Sequence, residues 1–355
     1  MDQTNRLMKA AVFEGPERMS VKQVPRPECG PGEVLVKVKA CAVCGTDIRI
    51  YYHGQKNVVP PHIIGHEIAG IIAEVGEGVG DCQSCEPVTL VTSVGCGGCK
   101  YCQKGYVNLC PSGKALGYFY PGGFAEYIAV PREAVGQGNV LKLPPGISFE
   151  EASIVEPLSC CINGQDYLKI ESGETVAVFG AGPIGRMHAE LARASGASRI
   201  ILIDLSPQRL ELARNCSSID YIVDAARENP VERVLDLTHG EGADVAIVAC
   251  SSGKAQQQAL KIATKKGRVS FFAGLPKQNS VIELDSNIIH YREISVFGAF
   301  ASYREQYLRA LELISSGKVE AKDIITHRFP LDRIVEAIET AKSGIGLKVV
   351  ITDEA

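Results

Sequence analysis

Three residues near the start of the chain offer donors for a metal that keeps one position open. Cys44 supplies a soft thiolate, and Gly65-His66-Glu67 supplies an imidazole and a carboxylate, so a fold-back of the stretch Cys41–Glu67 would gather them. Such a set suits a zinc ion with a free fourth position, which is the arrangement of a catalytic site and not of a structural one. Thr46 follows Cys44 by two residues, close enough for its hydroxyl to pass on a proton, and Asp47 is placed to orient the ligands from behind. Glu156 stands in the apolar run EASIVEPLS, where a buried carboxylate needs a partner that a metal or its water would provide.

A second group has different chemistry. Cys96, Cys99, Cys102 and Cys110 lie within the short run CGGCKYCQKGYVNLC. Four soft ligands with no open position describe a closed tetrahedral zinc that stabilises a loop. A nucleic-acid zinc ribbon would need basic residues around it, and only Lys100 and Lys104 are near. Cys82 and Cys85 form a further CxxC pair outside any thioredoxin-like context and read as surface thiols. Cys29, Cys41, Cys160, Cys161, Cys216 and Cys250 read as small buried apolar side chains.

The third group binds a nucleotide. The apolar run TVAVFG leads into Gly180, Gly182, Pro183, Ile184 and Gly185, then a helical stretch, then RIILID ending in Asp204. Glycines at this spacing allow a tight turn and the approach of a pyrophosphate to a helix N-terminus, and the acid meets the ribose. A carboxylate at Asp204 accepts from a free 2′-hydroxyl and repels a 2′-phosphate, which selects NAD over NADP. Arg209 is the one nearby residue that would soften this choice; on its own it reads as a charge on a solvated helix face.

These residues need elements to hold them. From Lys9 to about Leu143 the chain has short β-rich runs broken by Gly and Pro, among them AAVFEG, EVLVKVKA, IAGIIAEVG, PVTLV and GFAEYIAV. They predict a barrel-like or sandwich lobe with its working groups on loops, Cys44 among them. From Glu174 onward strands and helices alternate as in a doubly wound parallel sheet, so the chain as a whole is of the α/β class. After Phe297 a helix over Tyr303–Ser315, the strand-like HRFPL, a helix over Leu331–Ala341 and the strand GLKVVITD are expected to return to the first lobe.

At 355 residues and 45% hydrophobic content, the chain is long enough for two cores. A net charge of -4 provides no basic field for nucleic acid or an anionic membrane surface. No apolar run approaches the about 18 residues of a membrane span, and the N-terminal residues lack a signal pattern, so a cytoplasmic location is expected.

Taken together, the motifs resemble the zinc-containing medium-chain alcohol dehydrogenase family, in particular its polyol (sorbitol) and threonine dehydrogenase-like branch. CGTD at Cys44–Asp47, GHEIAGIIAEVGEGV at Gly65–Val79, the four cysteines, GGFAEY at Gly122–Tyr127, EPLS at Glu156–Ser159, GAGPIG, and SGKV followed by HRFPL carry the resemblance over nearly the whole chain. It implies a GroES-like β-barrel catalytic domain over residues 1–157, a Rossmann domain over 158–297, and a return to the catalytic domain over 298–355. It also implies one catalytic zinc surrounded by Cys44, His66, Glu67 and Glu156, with either carboxylate as direct ligand, one structural zinc, and a homo-oligomer, dimer or tetramer. The edge strand near Ile294–Phe300 is the expected interface. The implied reaction is oxidation of a secondary alcohol, most naturally a polyol, by NAD. Threonine or a sugar-alcohol phosphate as substrate, and an NAD-binding protein without turnover, stand as alternatives. Two departures from the family pattern stand out. Arg49 occupies the place of a relay histidine that His53 would have to replace, and GAFASYREQY replaces the Arg-Tyr pair of sorbitol-type relatives.

Overall fold

The computed structural model describes residues 6–353, which group into two units. One takes the chain up to Ser159, Ala301–Gly317 and the chain from Ala321 onward; the other takes Cys160–Phe300 with Lys318–Glu320.

The first unit is organised on the strand Val34–Ala42, whose β-branched residues suit a pleated and largely buried surface. It pairs antiparallel with Glu67–Val75, Tyr127–Val130 and Lys348–Thr352 inside a seven-stranded sheet. A three-stranded sheet of Arg18–Pro25, Leu7–Gly15 and His62–Ile63 completes the unit's main β-structure. Phe13, Ile50, Ile64, Ile68, Leu116 and Phe124 are fully buried in one core with these strands. Full burial of each such side chain stabilises by about 1.5–3 kcal/mol.

Strand register decides which residues meet at one end of this sheet. Ala42 lies opposite Glu67 on one side and Val350 on the other. Three strands distant in sequence therefore bring Cys44, Glu67 and Lys348 to the same end. The last strand belongs to this unit because Ile325–Phe329 and Lys348–Thr352 run parallel, joined through the helix Ile334–Ser343.

The second unit is a six-stranded, all-parallel sheet. Its order is Tyr221–Asp224, Arg199–Asp204, Thr175–Phe179, Ala243–Val248, Ala263–Phe271 and Ser295–Gly298. The inner strands Arg199–Asp204, Thr175–Phe179 and Ala243–Val248 are apolar on both faces, as a sheet covered by helices on both sides requires. In Thr175–Phe179, Ala177 and Phe179 join one core while Val176 and Val178 join the other. The strand order reverses between Thr175–Phe179 and Ala243–Val248, the crevice where doubly wound sheets bind ligands.

Cys44 does not sit in a plain loop. It caps a helix over Gly45–His53, with the Asp47 carboxylate accepting the Cys44 backbone N–H at 2.9 Å. Aromatic and β-branched residues dilute the helical signal of this segment, and the cap supplies the missing start. The remaining cysteines also differ from expectation. Cys41, Cys161 and Cys216 are buried, but Cys29, Cys160 and Cys250 are only half-buried.

Candidate active site

Glycines build the socket for His66. Gly65 has φ +95°, a conformation L side chains rarely adopt, and a Cβ there would stand 2.8 Å from the Phe124 ring. A Cβ on Gly122 would meet the Gly65 carbonyl at 2.2 Å. The backbone is pinched at Gly65, immediately before His66.

Within this socket one donor atom each from Cys44, His66 and Glu67 lie within 4.8 Å of one another. His66 and Glu67 are buried, and Cys44 is half-buried. His66 Nδ1 pairs with Asp47 Oδ1 at 3.4 Å. The other ring nitrogen, Nε2, faces the Tyr118 hydroxyl at 3.5 Å. Burial opposes a charge on His66, yet Tyr118, Asp47 and Cys44 together hold its pKa well above the ordinary histidine value. The pocket is thus built to attract positive charge, and a soft thiolate, an imidazole and a carboxylate fit a zinc ion.

No sequence motif points to Lys348. Its ammonium is 2.6 Å from both oxygens of Glu67, with the lysine 3% and the glutamate 0% exposed. Burial works against its charge, but Glu67, Cys44 and Glu156 raise its pKa. Tyr118 is equally silent in the sequence; its hydroxyl is 3.5 Å from His66 Nε2.

Glu156 lies in the first turn of the helix Val155–Asp166 and is half-buried. It is not among the three donors that approach within 4.8 Å, although its charge acts on Lys348 and Tyr118. Thr46 is half-buried in the first turn after Cys44. Arg49 donates to Gln55 at 2.9 Å. His53 is exposed at the far end of the same helix, about 10 Å along its axis from Thr46. The run after Gly298 serves a structural end: Ser302 Oγ lies 2.6 Å from Ser159 Oγ, its carbonyl accepts from Ser93, and Arg304 donates to the Gly138 carbonyl.

Cys96, Cys99, Cys102 and Cys110 converge as a second group within the same 4.8 Å spacing. Backbone N–H groups point at the sulfurs: Cys96 donates to Cys110 Sγ at 3.4 Å and Cys102 to Cys99 Sγ at 3.5 Å. The Cys102 N–H leads in pushing the Cys99 thiol down to about 6, while burial first, then Cys99, pushes Cys102 up to about 12. A shell of N–H donors around thiolates with no spare position fits a closed zinc site. Cys85 is exposed and Cys82 packs on the core edge; neither joins a metal-ligand group among the described residues.

In the second unit Gly180 turns the chain at φ +108° and Gly182 caps the helix Pro183–Ala194, with Pro183 at its first turn and Ile184 beside it. A Cβ on Gly185 would meet the Gly180 carbonyl at 1.7 Å, so only glycine permits this turn. Asp204 ends its strand and accepts from Ala181 N–H at 2.6 Å and Ser206 N–H at 2.8 Å. Arg209 reaches back over the loop: a Cβ on Gly182 would be 3.7 Å from its guanidinium.

Known proteins resemble this chain over nearly its whole length. Residues 30–144 match the model of the alcohol dehydrogenase GroES-like domain, and residues 183–316 match that of zinc-binding dehydrogenases. An L-threonine 3-dehydrogenase of Pyrococcus abyssi is 36% identical over 349 residues, covering 97% of either chain. The chain belongs to the zinc-binding alcohol dehydrogenase family. A sorbitol dehydrogenase of Bacillus subtilis is 34% identical over 94% of this alcohol dehydrogenase homologue and 93% of its own length. Among solved structures, a zinc-binding dehydrogenase of Sinorhizobium meliloti bound to NADP superposes with a TM-score of 0.91 at 33% identity, over 98% of this chain and all of that one. This member of the family therefore combines a GroES-like unit with a Rossmann unit and is a zinc-type oxidoreductase acting on a small molecule. No helix among the described residues is long and apolar enough to cross a membrane.

Proposed function

We propose that this dehydrogenase reversibly oxidises a secondary alcohol, most naturally a polyol, to a ketone with NAD as hydride acceptor, working in the cytoplasm. The observation that carries the reading is the convergence of Cys44, His66 and Glu67 in a pocket that attracts positive charge, on a chain that also bears the Gly180–Gly185 loop and Asp204. Cys44, His66 and one of Glu67 and Glu156 hold the catalytic zinc; Cys96, Cys99, Cys102 and Cys110 hold a structural one.

Zinc supplies Lewis acidity that lowers the pKa of the alcohol, and the nicotinamide accepts the hydride. The chain's own residues do the rest. Asp47 fixes the His66 ring through Nδ1, which keeps Nε2 directed at the reacting end. Thr46 accepts the alcohol proton as it passes its own hydroxyl proton on to water. Arg49 is no base at neutral pH, and His53 stands at the far turn of the helix Gly45–His53. Lys348 balances the Glu67 carboxylate, so the cluster does not carry an uncompensated buried charge.

Asp204 and Arg209 contact the adenosine end of the nucleotide, and the Asp204 carboxylate favours NAD. The homo-oligomer forms through the sheet edge Ser295–Gly298, which exposes Val296 and is flanked by exposed Tyr291 and Phe300. A second reading, an amino alcohol such as threonine as substrate, is favoured by the relatives named for that reaction. The experiment is NADH formation by zinc-loaded protein across polyols, threonine and simple secondary alcohols. Turnover on one class assigns the substrate, and silence on all of them with zinc and NAD bound overturns the proposal.

A further inference from the structure

The loop after Ala115 carries a phenol to the reacting end of the cluster, and the placement is built into the backbone. Gly117 has φ +79°, and a Cβ there would come within 2.7 Å of the Gly65 carbonyl and 3.1 Å of the His66 Cβ. Only a glycine lets this loop lie directly on the His66 segment. Leu116, fully buried, anchors it, and the Gly117 N–H donates to the Tyr120 carbonyl at 2.9 Å.

The next residue, Tyr118, is consequently set beside His66, with ring centroids 5.1 Å apart and planes tilted by 39°. Its hydroxyl faces Nε2 at 3.5 Å, while Asp47 takes the opposite nitrogen. Two donor atoms on one tetrahedral zinc, each about 2.0–2.1 Å from it, stand about 3.3 Å apart. The Tyr118 hydroxyl is therefore as near to Nε2 as the oxygen of a reactant in the open position would be. A phenol carries its proton at neutral pH and can donate it to an oxygen there.

We propose that Tyr118 is a substrate-contacting residue: its hydroxyl donates a hydrogen bond to the reacting oxygen of an alcohol held at the Cys44–His66–Glu67 cluster, and so selects and orients that oxygen. This role rests on the alcohol dehydrogenase activity proposed for the cluster. A bond of this kind to a partly charged oxygen is strong enough to change affinity about tenfold or more.

The test uses full-length protein with cobalt in place of the catalytic zinc and NAD present. Its visible spectrum is titrated with 2,2,2-trifluoroethanol, an alcohol that binds through oxygen and resists oxidation. In Tyr118→Phe the spectrum before the alcohol is added should match that of the unsubstituted protein, because the phenol is not itself a ligand. The half-saturating alcohol concentration should rise about tenfold or more. Tyr118→Leu, which also removes the ring, should show at least the same rise. Equal alcohol affinity in Tyr118→Phe and the unsubstituted protein overturns the proposal alone. A spectrum already altered without alcohol overturns it in favour of direct ligation. Failure of cobalt to bind, or of the alcohol to perturb the unsubstituted protein, overturns the alcohol dehydrogenase activity and this proposal with it.

Discussion

The ammonium of Lys348 stands 2.6 Å from both oxygens of Glu67, across 281 residues of sequence, and both side chains are buried. Removing one partner leaves the other charge buried and unpaired, which costs about 3–5 kcal/mol. Lys348→Met should therefore lower the thermal midpoint by about 6–20 °C for a unit of this size. The double change Lys348→Met with Glu67→Leu should be less destabilised than Lys348→Met alone, since no lone charge remains. Differential scanning calorimetry checks both; additive losses would contradict the pairing.

The four-cysteine loop gives a metal prediction. Cys99→Ser removes a thiolate from a closed set, so metal analysis should find about one zinc per chain in place of two. Limited proteolysis should then cut between residues 95 and 110. Two retained zinc ions would contradict the assignment.

Legibility tracks distance along the chain. The four cysteines and the Gly180–Gly185 loop are local patterns whose spacing already states their chemistry, and the alternating runs around Val34–Ala42 announce their sheet. Lys348 looks, within KVVIT, like an ordinary polar strand residue; only the register of Lys348–Thr352 beside Val34–Ala42 buries it against Glu67. Tyr118 sits in an aromatic loop with no periodicity, and what places it is the contact of Gly117 with Gly65. The helix Gly45–His53 is hidden for another reason: its cap is a cysteine that doubles as a donor, so local propensity is overridden by the site.

His188 provides a pH prediction. It is fully buried, Gln165 Nε2 faces its Nδ1 at 3.1 Å, and its Nε2 has no hydrogen-bond partner; burial pushes its pKa down to about 3. The folded state thus binds the proton less well than the unfolded state, whose value is about 6.5. Above about pH 6.5 both forms are neutral and His188 has no effect on the pH dependence. As pH falls from 6.5 toward 3, stability is lost with a slope approaching about 1.4 kcal/mol per unit. The thermal midpoint should drop less between pH 7 and pH 5 in His188→Met than in the unsubstituted protein. Parallel curves would contradict this role.

Asp204 gives a cofactor prediction. Replacing it with Gly removes the acceptor for the ribose and the repulsion of a 2′-phosphate, leaving Arg209 to face that position. The ratio of NADH to NADPH affinity, measured by fluorescence titration, should fall about tenfold or more. An unchanged ratio would remove Asp204 from nucleotide selection.

The central claim is that Cys44, His66 and a carboxylate hold a zinc ion that acts on an alcohol, and Cys44→Ser tests it most directly when zinc content, NADH binding and alcohol-dependent NADH formation are measured on one preparation. The account predicts loss of about one zinc per chain and of at least 100-fold in turnover, on the scale of losing an essential electrostatic group, with NADH affinity within about twofold of the unsubstituted protein. Retained turnover with two zinc ions per chain would contradict it.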